Sequence, residues 1–242
     1  MKSASSLVIV IGGSRGLGNA ALRQLALTLP AGSHFIFTGR NRNQLEDEAR
    51  NLHSSYETHT FHPLPMEMDK VDAEKIKDAM KNAMKGGDVK QVLLLFSAFQ
   101  LGFCGPVSNL NTSEVTNYFH CNVTRFNYNY FWFYFSKYDF SLVGIFGIVS
   151  EVRLELNLDF TVLNIGSHYG YPEYIYSTPG WSLQCAGKSA REIFLQCAFD
   201  EQRDKSPFEL FTFVPGTVKT DMLAKSIEGL EIMNQKCHYI SS

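Results

Sequence analysis

Apolar runs and mixed segments alternate along the chain at a nearly regular interval. Leu7–Ile11 is continuously apolar, which fits a strand buried on both faces of a parallel sheet. A glycine-rich turn follows, then a helical pattern from Leu17 to Leu29. Further strands are expected at His34–Thr38, His59–Met68, Gln91–Phe96, Phe160–Ile165 and Phe208–Val214, the third interrupted by Pro63 and Pro65. Helices are expected at Asn43–Leu52, Ala73–Met84, from near Ser113 through Asn122, and at Trp181–Asp200. Strands alternating with helices at this spacing imply right-handed crossovers. The expected fold class is therefore α/β, a Rossmann-type doubly wound parallel sheet with helices on both faces. No repeat or linker divides the chain, so residues 1–242 are read as one domain.

One segment breaks the alternation. Phe126–Val149 is rich in aromatic and aliphatic residues and carries Lys137 and Asp139 near its middle. A membrane helix needs about 20 apolar residues with few or no charges. A buried helix followed by an apolar strand or loop is expected instead. No signal-peptide pattern opens the chain.

Composition narrows the partners. Lys and Arg number 22 against 24 Asp and Glu, a net charge of -2, which argues against a nucleic-acid polyanion. The five cysteines, Cys104, Cys121, Cys185, Cys197 and Cys237, form no C-x-x-C pair and no zinc spacing. No metal is expected, and the scattered thiols suit a reducing, cytoplasmic setting.

The first turn carries the leading chemistry. Gly12-Gly13-Ser14-Arg15-Gly16-Leu17-Gly18 lies between the first strand and the first helix. Glycines let the backbone turn sharply and approach a pyrophosphate, while the helix start offers free N–H groups to the anion. The second strand ends Thr38-Gly39-Arg40-Asn41-Arg42, with no carboxylate to repel a 2′-phosphate. Arg40 can pair with that phosphate bidentately, and Arg15 offers a second clamp. The alternative is that Arg40 and Arg42 are solvated loop cations. NADP(H) is the expected cofactor.

Spacing and order together resemble the short-chain dehydrogenase/reductase family over most of residues 5–225. Ile11–Gly18 resembles its T-G-A-S-R-G-[FIL]-G, with Ile11 in place of the threonine. The resemblance implies cofactor contacts at Gly12, Gly13, Ser14, Arg15, Gly16, Leu17, Gly18, Arg40 and Asn41. It adds Asp69 beside adenine, for which a helix N-cap is the competing reading. Pro215-Gly216-Thr217-Val218-Lys219-Thr220-Asp221-Met222 resembles the family's P-G-x-[LV]-x-T-D-M. This implies contacts to the nicotinamide half from Gly216, Val218, Thr220, Asp221 and Met222.

The family's catalytic set is an Asn, a Ser, a Tyr and a Lys four residues beyond the Tyr. Asn122, Ser167 and Lys188 match three of these positions. Ser167 would hold the substrate oxygen, and Lys188 the nicotinamide ribose. The fourth position is Gln184. An amide donates a hydrogen bond but is no practical proton source, so the general acid is missing. Three outcomes follow: Gln184 polarises the carbonyl while water protonates it, one of Tyr169, Tyr171, Tyr174 and Tyr176 substitutes, or chemistry is lost. The family's N-N-A-[AG] motif reads Phe96-Ser97-Ala98-Phe99 here.

Cys185-Ala186-Gly187-Lys188 followed by Ala190-Arg191 is similar to the sepiapterin reductase branch. That likeness implies NADPH-dependent reduction of a pterin side-chain ketone, as in tetrahydrobiopterin synthesis, and a homodimer. The non-catalytic alternative is an NADP-binding or dimer-partner protein. Relative to that branch, residues 126–158 are atypical and 223–242 form a shortened end, consistent with a truncated or alternatively spliced form.

Overall fold

A computed structural model describes residues 4–68, 72–85, 88–105, 107–123, 142–171, 180–204, 207–216, 218–220, 222 and 224. Six parallel strands form one sheet: β1 (Ser5–Ile11), β2 (His34–Gly39), β3 (Thr60–Pro65), β4 (Val89–Phe96), β5 (Asp159–Ile165) and β6 (Phe208–Phe213). Their spatial order is β3-β2-β1-β4-β5-β6. The order reverses between β1 and β4, and in open α/β sheets ligands bind in the crevice at that switch point, beyond the strands' carboxyl ends. The α/β, doubly wound Rossmann class expected from the apolar runs is the fold.

The helices are α1 (Gly16–Thr28), α2 (Arg42–Ser55), α3 (Ala73–Ala83), α4 (Thr112–Asn122), α5 (Leu142–Glu155) and α6 (Ser182–Gln202). They divide the core between the two faces of the sheet. Ile9, Leu94 and Val162 pack with Ile76 of α3, Val149 of α5 and Leu195 of α6. Val8, Val10, Phe35 and Phe37 pack on the other face with Leu22 of α1 and Leu45 of α2. Successive side chains in a strand point to opposite faces. Because both faces of β1 are covered, its run from Leu7 to Ile11 is wholly buried.

The described part of the apolar middle segment is helical. The helix comes late, at Leu142–Glu155, and leads directly into β5. Residues 126–141 lie outside the described residues. Among the described residues, no helix is long and apolar enough to cross a membrane. The third strand is also shorter than its apolar pattern, Thr60–Pro65. Its prolines are tolerated because β3 is an edge strand, paired only with β2.

Candidate nucleotide-binding and catalytic site

The glycine loop is held by close backbone approach. Gly12 has φ of 90°, and a Cβ there would lie 2.7 Å from the Ala98 backbone nitrogen. Gly12 N–H donates to Thr38 Oγ1 at 3.0 Å, and Gly13 N–H to the Thr38 carbonyl at 2.9 Å. These bonds lash the loop to the end of β2. Asn19 Nδ2 donates to the Gly13 carbonyl at 3.1 Å and to Glu48 Oε1 at 2.8 Å. Arg23 pairs with the same Glu48, so α1 and α2 brace the loop together.

What the loop leaves open is the start of α1. Arg15 is its N-cap and makes no side-chain capping bond, and the first turn carries no acidic residue. By contrast, Asn41, Asp72 and Asn111 cap α2, α3 and α4 with their own side chains. Gly16 has φ of 60°, and a Cβ built on it meets no atom within 4 Å. A helix start whose N–H groups lack a side-chain cap and face open space has the chemistry to accept an anion. Leu17 faces inward, partly buried against the core. These features fit a pyrophosphate.

Arg40 follows the end of β2, next in sequence to a residue that borders this site. Its neighbour Gly39 approaches so closely that an added Cβ would meet Ser14 Cβ and Oγ at 2.8 Å. Arg40 is exposed and makes no ion pair among the described residues. Asn41 is occupied differently: its side chain accepts from Gln44 N–H at 3.1 Å. Arg40→Ala is expected to weaken NADPH binding by about 10- to 100-fold, the worth of a charge-assisted hydrogen bond, and to leave NADH binding unchanged. Parallel fluorescence titrations with the two cofactors check this.

The catalytic positions converge at the same edge of the sheet. Lys188, on α6, donates from Nζ to the Ile165 carbonyl at 3.1 Å, at the end of β5. Its ammonium also lies 4.1 Å from the Phe99 ring centroid. Burial, and then the neighbouring Arg191 guanidinium, hold Lys188 well below the ordinary lysine pKa, while Glu192 opposes them. Ser167 follows β5 and caps a short 3-10 turn, accepting from Tyr169 N–H at 3.3 Å. Asn122 is buried. It accepts from Gln100 N–H at 2.6 Å and donates to the Gln100 carbonyl at 3.0 Å.

Gln184 is turned elsewhere. Its Nε2 donates to the Gly102 carbonyl and to Cys104 Sγ, each at 3.3 Å. Its Oε1 is buried with no hydrogen-bond partner among the described residues. The amide therefore straps α6 to the segment after β4. Nearby, the buried Tyr118 hydroxyl also lacks a partner among the described residues, and burial pushes its pKa up. Gly187 makes room for that phenol, since a Cβ there would meet its ring carbons at 2.7 and 2.9 Å. Tyr169 packs on Trp181, their ring centroids 5.0 Å apart. Tyr174 and Tyr176 lie outside the described residues.

Gly216, Val218, Thr220 and Met222 come directly after β6, at the same sheet edge. Gly216 and Met222 are exposed, Val218 and Thr220 partly buried, and the Thr220 carbonyl accepts from Ala224 N–H at 3.1 Å. Asp69 and Asp221 lie outside the described residues.

Four side chains matter more than the motif reading indicates. Thr38 and Asn19 hold the glycine loop, and Phe99 covers Lys188. Arg191 is fully buried and donates to the carbonyls of Ala98 at 3.0 Å and Phe96 at 3.1 Å. Desolvation lowers its pKa to about 10. Only the long-range fold brings Arg191 to those carbonyls. Arg191→Met would orphan both, at a cost of about 2–4 kcal/mol, read by urea unfolding.

The short chain dehydrogenase family model matches residues 6–127, half of the chain, and the sheet order and glycine loop above agree with it. The chain belongs to the short-chain dehydrogenase family. Mouse sepiapterin reductase is 24% identical over 220 residues, covering 90% of this chain and 76% of that protein. A Bacillus cereus benzil reductase that forms (S)-benzoin is 26% identical over 223 residues, covering 90% and 78%. Among solved structures, a Pseudomonas syringae short chain dehydrogenase superposes with a TM-score of 0.70 at 19% identity, covering 93% of this chain and 81% of that one. A Sphingobium yanoikuyae short-chain dehydrogenase in complex with NADPH gives 0.68 at 15% identity, covering 91% and 74%. The two structures agree with the fold. The family is one of oxidoreductases that act on small molecules.

Proposed function

We propose that this chain, as one domain over residues 1–242, binds NADP(H) and slowly reduces a small carbonyl substrate of the pterin side-chain class. The observation that carries the reading is the uncapped start of α1 under Gly16, with the exposed Arg40, which makes no ion pair among the described residues, next in sequence to the Gly39 that closes on Ser14. An anion-binding helix start with a separate cation for a second phosphate suits a 2′-phosphorylated dinucleotide. The named relatives support the substrate class, and the NADPH complex of a neighbour in fold supports the cofactor. In this reading Asp69 and Asp221 join the cofactor site, the protein works in the cytoplasm, and a homodimer is the working assembly.

The bound cofactor supplies the hydride. Ser167 offers its hydroxyl to the substrate oxygen, and Lys188 orients the ribose. Gln184 contributes no proton, and loss of a general acid costs about 10²- to 10⁴-fold in rate. Water completes the protonation. In a single-turnover experiment with excess protein, NADPH absorbance is expected to fall slowly after sepiapterin is added. Binding of NADPH with no oxidation over hours would reject catalysis.

A second reading has a specific observation behind it. Gln184 is bonded to Gly102 and Cys104 and makes no bond to Ser167. A non-catalytic NADP(H)-binding partner protein fits that geometry. The same single-turnover measurement separates the two.

A further inference from the structure

Phe99 connects the glycine loop to Lys188. Its predecessor Ala98 touches Gly12, the first glycine of the loop. Its own ring lies against the Lys188 ammonium, centroid to nitrogen 4.1 Å. That ammonium already donates to the Ile165 carbonyl. The group expected to meet the nicotinamide ribose thus has one direction taken by a carbonyl and another by a phenyl face.

The ring is anchored on both sides. Arg191 holds the carbonyls of Phe96 and Ala98. Asn122 holds both the N–H and the carbonyl of Gln100. With its flanking residues pinned, the Phe99 backbone has little room to withdraw. The ring also packs edge-on against Tyr118, centroids 5.9 Å apart, and lies 5.8 Å from the Arg191 guanidinium. Admission of a ribose therefore requires the side chain alone to rotate out of an aromatic contact and off a cation. The ring contacts of Phe99 are with Tyr118, Lys188 and Arg191, and none of them is with the start of α1 or with Arg40.

We infer that Phe99 fills the nicotinamide-ribose position, so that the resting chain grips its ligand through the adenosine 2′,5′-bisphosphate half. This rests on the NADP(H) reading above and names which half of the ligand the site recognises. Phe99 is then a specificity-determining residue for the length of the nucleotide.

The test compares NADPH with adenosine 2′,5′-bisphosphate by calorimetry, using wild type, Phe99→Ala and Phe99→Leu. Wild type is expected to bind the two ligands with similar affinity, and bound NADPH to keep the nicotinamide emission of the free cofactor. Phe99→Ala is expected to tighten NADPH by roughly 10-fold, the worth of a displaced cation–π contact, and to leave the bisphosphate unchanged. Phe99→Leu removes the aromatic face while keeping bulk, and is expected to give a smaller gain. Wild-type binding of NADPH 10-fold or more tighter than the bisphosphate, with enhanced nicotinamide emission, would overturn the inference while sparing the NADP(H) reading. An unchanged ratio in both variants would overturn it too. If wild type binds neither ligand, the NADP(H) reading itself falls.

Discussion

Gln184→Tyr is expected to raise the rate of NADPH-dependent sepiapterin reduction by about 10²- to 10⁴-fold, the range attributed to a positioned general acid. Position 184 lies one helical turn before Lys188 on α6, so a phenol there stands on the same helix face as the ammonium. A tyrosine has an ordinary pKa near 10, and a nearby cation lowers it toward a useful range. The gain should appear in kcat, with little change in KM, because a proton donated in the transition state adds nothing to ground-state binding. Phe99 obstructs the cofactor equally before and after the substitution, so the ratio of rates survives it. The substitution also releases the strap from α6 to Gly102 and Cys104. A small loss of thermal stability is therefore expected alongside the gain. Unchanged turnover in a folded variant that still binds NADPH would mean that more than the acid is missing.

Gly18→Ala is expected to lower cofactor affinity by about 100-fold or more. A Cβ on Gly18 would fall inside the contact distance of the Gly12 carbonyl oxygen and sit 3.0 Å from Ser97 Cβ. The first is a backbone atom, so no rotamer relieves the clash. The start of α1 must lift away from the loop, which carries its N–H groups off the phosphate position. Overpacking of this kind costs about 1–3 kcal/mol in stability. The variant should therefore remain folded by circular dichroism while its NADPH titration becomes flat. Retained affinity would show that the loop does not contact the ligand.

The sheet was readable because a parallel strand covered on both faces must be apolar at every position. Leu7–Ile11 and Val92–Phe96 met that demand and lie in strands. The glycine loop was readable because close backbone approach excludes side chains at Gly12 and Gly18. The helix α5 was harder. Ile145, Phe146, Ile148, Val149 and Val152 are all buried, so its polar face is narrow and the 3.6-residue period weak. An apolar run of this kind reads equally as strand or helix.

The positions matched to the family's catalytic set were visible in sequence by residue type, but the directions of their side chains were not. Gln184 departs visibly from the family pattern, yet its partners Gly102 and Cys104 lie 82 and 80 residues away in sequence. Phe99 departs too, and what it covers is Lys188, on a helix beyond β5. Arg191 marked a subfamily in sequence, while its physical task is to satisfy two carbonyls at the end of β4 and just beyond. Contacts of this kind follow from the folded topology, which local pattern does not encode.

The most direct measurement of the central claim is a pair of equilibrium titrations of the wild-type chain, with NADPH and with NADH, at one fixed ionic strength. An open helix start together with the exposed Arg40 at the end of β2 predicts saturable binding of NADPH and at least about 10-fold weaker binding of NADH. Tighter binding of NADH, or no saturable binding of either, would contradict it.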